Sequence, residues 1–272
     1  MITGANSGIG KATALGLAEM DATVVMVCRN QKWGKEAREE IREKTGNQSV
    51  DLLIADLSLQ KAIIQLVADF KRKYQNLHVL INNAGVLLQN RSVTEDDRIE
   101  TTFAVNYLAP FLLTHLLLDT IKASTPARII NVSSATHTWS HLNLDDLQNE
   151  NRYDAWTAYS QSKLALILFT YELAKRLKHT NVTVNCLHPG VLDTNIGSIT
   201  HVEHPISSKS FNKLRRGAET SIFLATSPDV ENVTGKYFIR KKVANSSTES
   251  YDEVIAKKLW DISVELTKLD NL

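Results

Sequence analysis

The chain has 272 residues, 43% of them hydrophobic, which is enough to bury a full core. Its 31 basic and 30 acidic side chains leave a formal charge of +1 with no long basic run, so nothing favours a polyanionic partner and nucleic-acid binding is not expected. The two cysteines, Cys28 and Cys186, lie in apolar strand-like runs and read as small buried thiols, with no disulfide framework and no paired Cys/His spacing for a metal.

The sequence opens Met1-Ile2-Thr3-Gly4, so only a stub precedes a glycine-rich turn. Short β-branched runs then alternate with longer amphipathic ones. Strands are expected at 23–28, 50–54, 79–82, 128–132, 182–187 and 236–239, and helices at 11–20, 33–45, 58–74, 95–123, 155–178 and 216–227. Pro110 falls inside the fourth helical run, where it removes a backbone donor and should bend or divide the helix. The alternation predicts β-α-β crossovers around a parallel sheet covered by helices on both faces, in one α/β domain over 1–272. A last segment, 251–268, carries Val254, Leu259, Trp260, Ile262 and Leu266 at helical spacing and should pack onto that domain.

Two stretches break the rhythm, 135–156 and 192–215; as long loops beyond strand carboxyl ends they are the expected substrate loops. No uninterrupted apolar run reaches the ~18 residues of a membrane span; the longest, 111–118, is followed by Asp119. Asn-x-Ser/Thr triplets such as Asn181-Val182-Thr183 are read as chance matches.

The turn Gly4-Ala5-Asn6-Ser7-Gly8-Ile9-Gly10 stands immediately before a helical pattern. Its glycines permit a tight bend and close approach of a phosphate, and the helix amino end would then face a pyrophosphate. Taken alone, it fits a tight connection equally well. At the end of the next strand stands Cys28-Arg29-Asn30. No carboxylate is there for two ribose hydroxyls, whereas Arg29 suits a 2′-phosphate, which points to NADP(H) over NAD(H).

Tyr159 and Lys163 are four residues apart in an expected helix, so phenol and ammonium share a face one turn apart. A phenol ordinarily loses its proton near pH 10, and an adjacent ammonium lowers that value. The pair alone also fits an exposed helix with an incidental Tyr and Lys.

Together these segments resemble the short-chain dehydrogenase/reductase family, and the likeness runs over nearly the whole chain. Thr3-Gly4 through Gly10 looks like the family's cofactor turn, Asp56-Leu57 like its adenine-contacting pair, and Asn82-Asn83-Ala84-Gly85 like the turn after its fourth strand. Asn106, Ser134, Tyr159 and Lys163 match its catalytic tetrad, and Pro189-Gly190 with Thr194 matches the segment beside the nicotinamide. Cys28-Arg29-Asn30, Val105-Asn106-Tyr107-Leu108, the long interval from Ser134 to Tyr159, Ser162-Lys163-Leu164-Ala165 and His188-Pro189-Gly190 resemble the retinol dehydrogenase-like branch.

The resemblance implies a Rossmann-type three-layer fold with a mostly parallel, doubly wound sheet and NADP(H) as cofactor. It also implies hydride transfer to or from a lipophilic carbonyl or alcohol, retinal/retinol-like or another apolar aldehyde or ketone. Tyr159 would be the acid/base, Ser134 the donor to the substrate oxygen, Lys163 the ribose ligand and modulator of Tyr159, Asn106 the holder of a relay water, and Thr194 the partner of the carboxamide. Read from the residues themselves, Trp139, Leu142, Trp156, Leu192 and Ile196 fit an apolar pocket, and core or lid packing nearly as well; His137 and His141 could touch substrate, but structural or solvated roles are expected of His115, His137, His141 and His188.

The helical runs 95–123 and 155–178 would pair in a possible homodimer, and the cytoplasm or a cytosol-facing surface is the expected location. Membrane-attached relatives carry an amino-terminal anchor, which leaves location tied to what precedes Met1. Two departures stand out. The family's full, central first strand is cut short here, which would leave neighbouring strand edges unpaired. Asp21 stands where a glycine is usual, at a small cost if its backbone is left-handed. The competing readings are a catalytically silent NADP(H)-binding regulatory protein and an inactive fragment.

Overall fold

The computed structural model describes residues 1–190 and 208–271. Its strands are β1 (Ile2–Thr3), β2 (Val24–Cys28), β3 (Val50–Ile54), β4 (Val79–Asn82), β5 (Ala127–Val132), β6 (Val182–His188), β7 (Tyr237–Ile239) and β8 (Lys242–Ala244). They form one sheet in the order β3-β2-β1-β4-β5-β6-β7-β8, parallel except for β8. The order reverses between β1 and β4, and open α/β sheets place their ligand crevice beyond the strand carboxyl ends at such a switch.

The strands read as continuous apolar runs because both sheet faces are covered. Along β2, Val25 and Val27 enter one core, while Val24, Met26 and Cys28 enter the other. In β5, Ile129 goes to the first core, and Ile130 and Val132 go to the second. Helices α1 (Gly8–Ala18), α2 (Gln31–Thr45) and α7 (Ser208–Thr226) cover one face. The other face carries α3 (Gln60–Lys73), α4 (Thr101–Phe103), α5 (Ala109–Ala123), α6 (Ala155–Arg176) and α8 (Glu253–Thr267). Helix α8 packs as its spacing predicts except at its first turn, where Val254 is exposed: Leu259 is in the core, Tyr107 Oη and Ser263 Oγ are 2.7 Å apart, and the Arg176 guanidinium lies 3.9 Å from the Trp260 ring centroid.

The expected gap at the first strand is only partly filled, since Val24 and Val25 of β2 have no partner in β1. Although β1 has two residues, it is central and pairs with both neighbours, Ile2 and Thr3 opposite Met26 and Val27 on one side and Ile2 opposite Ile81 on the other. The Ile81 amide also donates to the Met1 carbonyl at 2.9 Å. Below this short strand lies a cavity of about 580 Å³ bordered by Val24, Leu77 and Val79.

The expected long helix at 95–123 is interrupted. Glu100 caps its true start at Thr101, accepting from the Thr102 and Phe103 amides at 2.8 and 2.7 Å. Residues Ala104–Leu108 then form a π turn, with the Ala109 amide donating five residues back to Ala104. Pro110 has no N–H for the Asn106 carbonyl, and the π turn falls where that helical bond is missing. The span Thr101–Ala123 is long and apolar enough to cross a membrane by length and composition, but 78% of its apolar window is buried inside the domain, which accounts for its composition.

The return strand β8 escaped the sequence pattern. Its two-residue turn, Arg240-Lys241, has φ of 51° and 64°, the positive pair a tight hairpin needs, without the Asn or Gly that ordinarily marks it. Asp21 likewise has a φ of 58°, so the left-handed cost anticipated there is incurred.

Candidate active site

A cleft of about 680 Å³ opens at the switch point. At one end stands the glycine turn, each glycine required for a different reason. An added Cβ at Gly10 would sit 2.3 Å from the Gly4 carbonyl oxygen and 2.4 Å from Asn83 Nδ2, so the helix could not close on the turn. Gly8 has a φ of 56°, and a Cβ there would meet nothing within 4 Å. Open space therefore lies directly above the backbone at the start of α1. Ser7, the N-cap, makes no side-chain bond to the helix, leaving first-turn amides for an outside acceptor. These features fit a pyrophosphate.

The turn is welded to the end of β4. The Thr3 hydroxyl accepts from the Asn83 and Ala84 amides, both at 3.0 Å, and Asn83 Nδ2 donates to the Thr3 and Gly4 carbonyls at 2.8 and 3.3 Å. The part of Thr3 was missed in the sequence, where its only signal is a hydroxyl beside a glycine. Gly4, Asn6, Ser7, Gly8, Ile9, Gly10, Arg29, Asp56, Leu57, Asn83, Ala84, Gly85, Pro189 and Gly190 all line the cleft, as the motifs placed them. Arg29 is exposed, and Asp56 Oδ1 is held by the Ser58 amide at 2.9 Å. Thr194 lies outside the described residues.

The other end holds Ser134, Tyr159 and Lys163. Ser134 follows β5, Tyr159 and Lys163 lie one turn apart on α6, and the Ser134 hydroxyl, whose oxygen accepts from the Thr136 amide at 3.2 Å, lies beside the Tyr159 phenol. Lys163 Nζ donates to the Val132 carbonyl at 3.0 Å and lies 5.5 Å from the Tyr159 ring centroid. The neighbouring Ser133 hydroxyl points elsewhere and donates to the Lys163 carbonyl at 2.9 Å, tying α6 to the sheet.

Tyr159 is only 4% exposed. Burial pushes its phenol up to about 12, against the neighbouring Ser134 hydroxyl, which favours the phenolate, and burial also draws the Lys163 ammonium down to about 8. Thus desolvation opposes the lowering of Tyr159 by Lys163 that the spacing suggests. The phenol holds its proton at neutral pH.

Asn106 is buried in the π turn. Its Oδ1 accepts from the Val86 amide at 2.8 Å, and Nδ2 donates to the Val86 carbonyl at 2.9 Å and to Ser162 Oγ at 3.0 Å. Ser162 Oγ in turn donates to the Tyr159 carbonyl at 2.7 Å. Asn106 therefore ties the turn after β4 to the helix that bears Tyr159. A Cβ at Gly85 would fall 3.3 Å from Lys163 Nζ and 3.4 Å from Asn106 Oδ1, which keeps that position small.

Of the apolar residues expected at the substrate end, Trp139 and Trp156 line the cleft, 66% and 50% exposed, with ring centroids 5.7 Å apart. Trp156 meets the Tyr159 ring edge-on at 6.2 Å. Leu142 instead belongs to the core beneath the 135–156 loop, because Glu249 fixes its amide at 2.8 Å and turns the chain inward. Leu192 and Ile196, with most of the second loop, lie outside the described residues.

His115 packs against Phe111 and Trp260, and His141 pairs with Glu249 at 2.7 Å. His137 and His188 both bond the backbone next to Ser134, a placement the sequence did not indicate.

Residues 1–202 match the family described as short chain dehydrogenase. Retinol dehydrogenase 14 from Mus musculus is 42% identical over 280 residues, covering 97% of this chain and 84% of that protein. An uncharacterised protein from Mycobacterium paratuberculosis has a similar structure, with a TM-score of 0.81 and 31% identity over 98% of this chain and 92% of that one. A short chain dehydrogenase from Shigella flexneri 2a, complexed with NADP, gives a TM-score of 0.67 and 25% identity over 89% of this chain and 95% of that one. The chain thus belongs to the short-chain dehydrogenase/reductase family, in its retinol dehydrogenase-like part, as an oxidoreductase of alcohol and carbonyl groups.

Proposed function

We propose that this chain transfers a hydride between NADP(H) and a lipophilic carbonyl or alcohol, with Tyr159 as the acid/base. The observation that carries this reading is one continuous cleft. It runs from an uncapped helix terminus and Arg29 to a phenol beside a serine hydroxyl and flanked by a lysine. NADP(H), when bound, supplies or accepts the hydride.

Gly8, the first turn of α1 and Arg29 would hold the phosphates, Asp56 and Leu57 the adenine, and Lys163 the nicotinamide ribose. In reduction, the Ser134 hydroxyl donates a hydrogen bond to the substrate oxygen, and Tyr159 gives that oxygen its proton. A donor already in place needs no reorganisation as charge develops. Because burial keeps Tyr159 protonated at neutral pH, the site rests in the form that reduction requires. Lys163, drawn to about 8 and hence still mostly charged at neutral pH, stabilises the phenolate left behind.

Substrate class rests on the exposed tryptophans. Two neighbouring rings half or more open to water at the mouth of a cleft form a surface that an apolar substrate would cover. The named relative acts, by its name, on retinol. A retinal/retinol-like molecule or another apolar aldehyde or ketone fits this site.

The test is turnover of NADPH and NADH by the purified chain with retinal, apolar aldehydes, steroids and quinones, alongside Tyr159→Phe. We expect NADPH-dependent reduction of apolar carbonyls, lost by about 10²-fold or more in Tyr159→Phe while NADPH still binds. Tight NADPH binding without turnover of any carbonyl would make the chain a silent cofactor-binding protein instead.

A further inference from the structure

We propose that His137 and His188 act together as positioning residues that clamp the Ser134–Ala135 peptide and so aim the Ser134 hydroxyl; the inference rests on the reading of Ser134 as the donor to substrate. The two imidazoles grip opposite ends of one peptide group. His137 Nδ1 lies 2.6 Å from the Ser134 carbonyl oxygen, and the Ala135 amide donates to His188 Nδ1 at 3.2 Å. Carbonyl and amide belong to the same rigid plane, so fixing both sets the plane's rotation, and with it the direction in which Ser134 leaves the backbone.

The same contacts fix both tautomers. The Ser247 amide donates to His137 Nε2 at 3.0 Å, so that nitrogen carries no proton and Nδ1 donates to Ser134. His188 Nδ1 receives the Ala135 amide, so its proton is on Nε2. Each ring is neutral in this arrangement. A second proton on His137 would face the Ser247 N–H, and one on His188 would face the Ala135 N–H.

The surroundings favour the neutral forms. His137 is 2% exposed and meets the Tyr237 ring edge-on at 5.1 Å. Burial lowers both histidines below the usual range, and a charge on His137 would lower His188 further; Tyr237 is itself pushed up by burial and remains a neutral phenol. Glu249, two residues beyond Ser247, is engaged by His141 and the Leu142 amide. Through Ser247, the clamp also links Ser134 to the chain just before α8.

Substitution can separate the two bonds of His137. Asn at 137 retains a donor near the Nδ1 position, whereas Gln reaches towards Nε2 and leaves the Ser134 carbonyl without its partner. We expect His137→Gln to lower kcat for NADPH-dependent carbonyl reduction about tenfold, the scale of one lost oriented hydrogen bond, with KM and NADPH affinity nearly unchanged and His137→Asn recovering most of the loss. Long-range ¹H–¹⁵N correlation spectra of the NADPH complex should show the Nδ1–H tautomer at His137 and the Nε2–H tautomer at His188.

Wild-type kcat in a folded, NADPH-binding His137→Gln, or the opposite tautomers, overturns the clamp. If wild-type protein reduces no carbonyl, the proposed function fails by itself. The tautomers, and the shift of the Ala135 amide signal in His137→Gln, then decide the clamp alone.

Discussion

Gly8 and Gly10 stand two residues apart in the same turn, yet alanine at each should fail for a different reason. At Gly10 the new methyl would lie 2.3 Å from the Gly4 carbonyl oxygen and 2.4 Å from Asn83 Nδ2, well inside contact distance. The carbonyl is backbone and Asn83 is tied to Thr3, so neither can yield cheaply. Forced overpacking of this kind costs about 1–3 kcal/mol, and fixed neighbours place Gly10→Ala near ~3. At roughly 2–4 °C per kcal/mol for a domain of this size, its melting point should fall by about 6–12 °C.

At Gly8 the methyl enters open space, and the cost is the left-handed backbone alone, about 1–2 kcal/mol. Gly8→Ala should therefore melt only about 2–8 °C lower. Its methyl occupies the approach proposed for the pyrophosphate, however, so NADPH affinity should fall about tenfold or more. Thermal melting without ligand and fluorescence titration with NADPH measure the two effects separately. Normal NADPH affinity in Gly8→Ala would remove the helix terminus from the cofactor site, and an unchanged melting point in Gly10→Ala would refute the packing argument.

Arg29→Ala should weaken NADPH binding by about 10–100-fold, the worth of a charge-assisted phosphate contact, while changing NADH affinity little; equal losses would exclude the 2′-phosphate as its partner. Trp156→Ala removes a half-exposed ring beside Tyr159 and should raise KM for long apolar aldehydes about tenfold, with a small effect on a short, water-soluble one. A uniform loss would instead place Trp156 in the support of Tyr159. Since burial holds Tyr159 near 12, alcohol oxidation should accelerate as pH rises from about 6 to 8 and flatten above that as Lys163 loses its charge, while carbonyl reduction does not accelerate; a reduction rate rising in parallel with oxidation would contradict the assigned acid/base. Acid should also destabilise the fold. Burial lowers His115, His137 and His188 below the unfolded value near 6.5, so their contribution is complete above that pH and is lost as pH falls through the lowered folded values. Buried Glu100, shifted upward, acts in the opposite sense, and the buried Met1 ammonium, drawn down to about 5, acts with the histidines. A urea midpoint no lower at about pH 5 than at about pH 7.5 would show that the neutral rings do not govern acid stability.

Much of the molecule is written locally in its sequence. Strand and helix periodicity, the glycine turn and the four-residue step from Tyr159 to Lys163 all depend on nearby residues, and each has its counterpart in the sheet or the cleft. Other features depended on groups far apart in the chain. The two-residue β1 takes the centre of the sheet because Met26, Val27 and Ile81 are there to pair with it. The interruption of the helix at 104–108 involves Pro110 and delivers Asn106 to Val86 and Ser162, and the β8 hairpin forms on an Arg-Lys turn that carries no turn signal. Spacing brought Lys163 to Tyr159, but only tertiary burial decided that the phenol keeps its proton. Likewise, no local pattern joins residues 134, 188 and 247; folding brings them into hydrogen-bonding range, where desolvation and the direction of each N–H fix the charge and tautomer of the imidazoles between them.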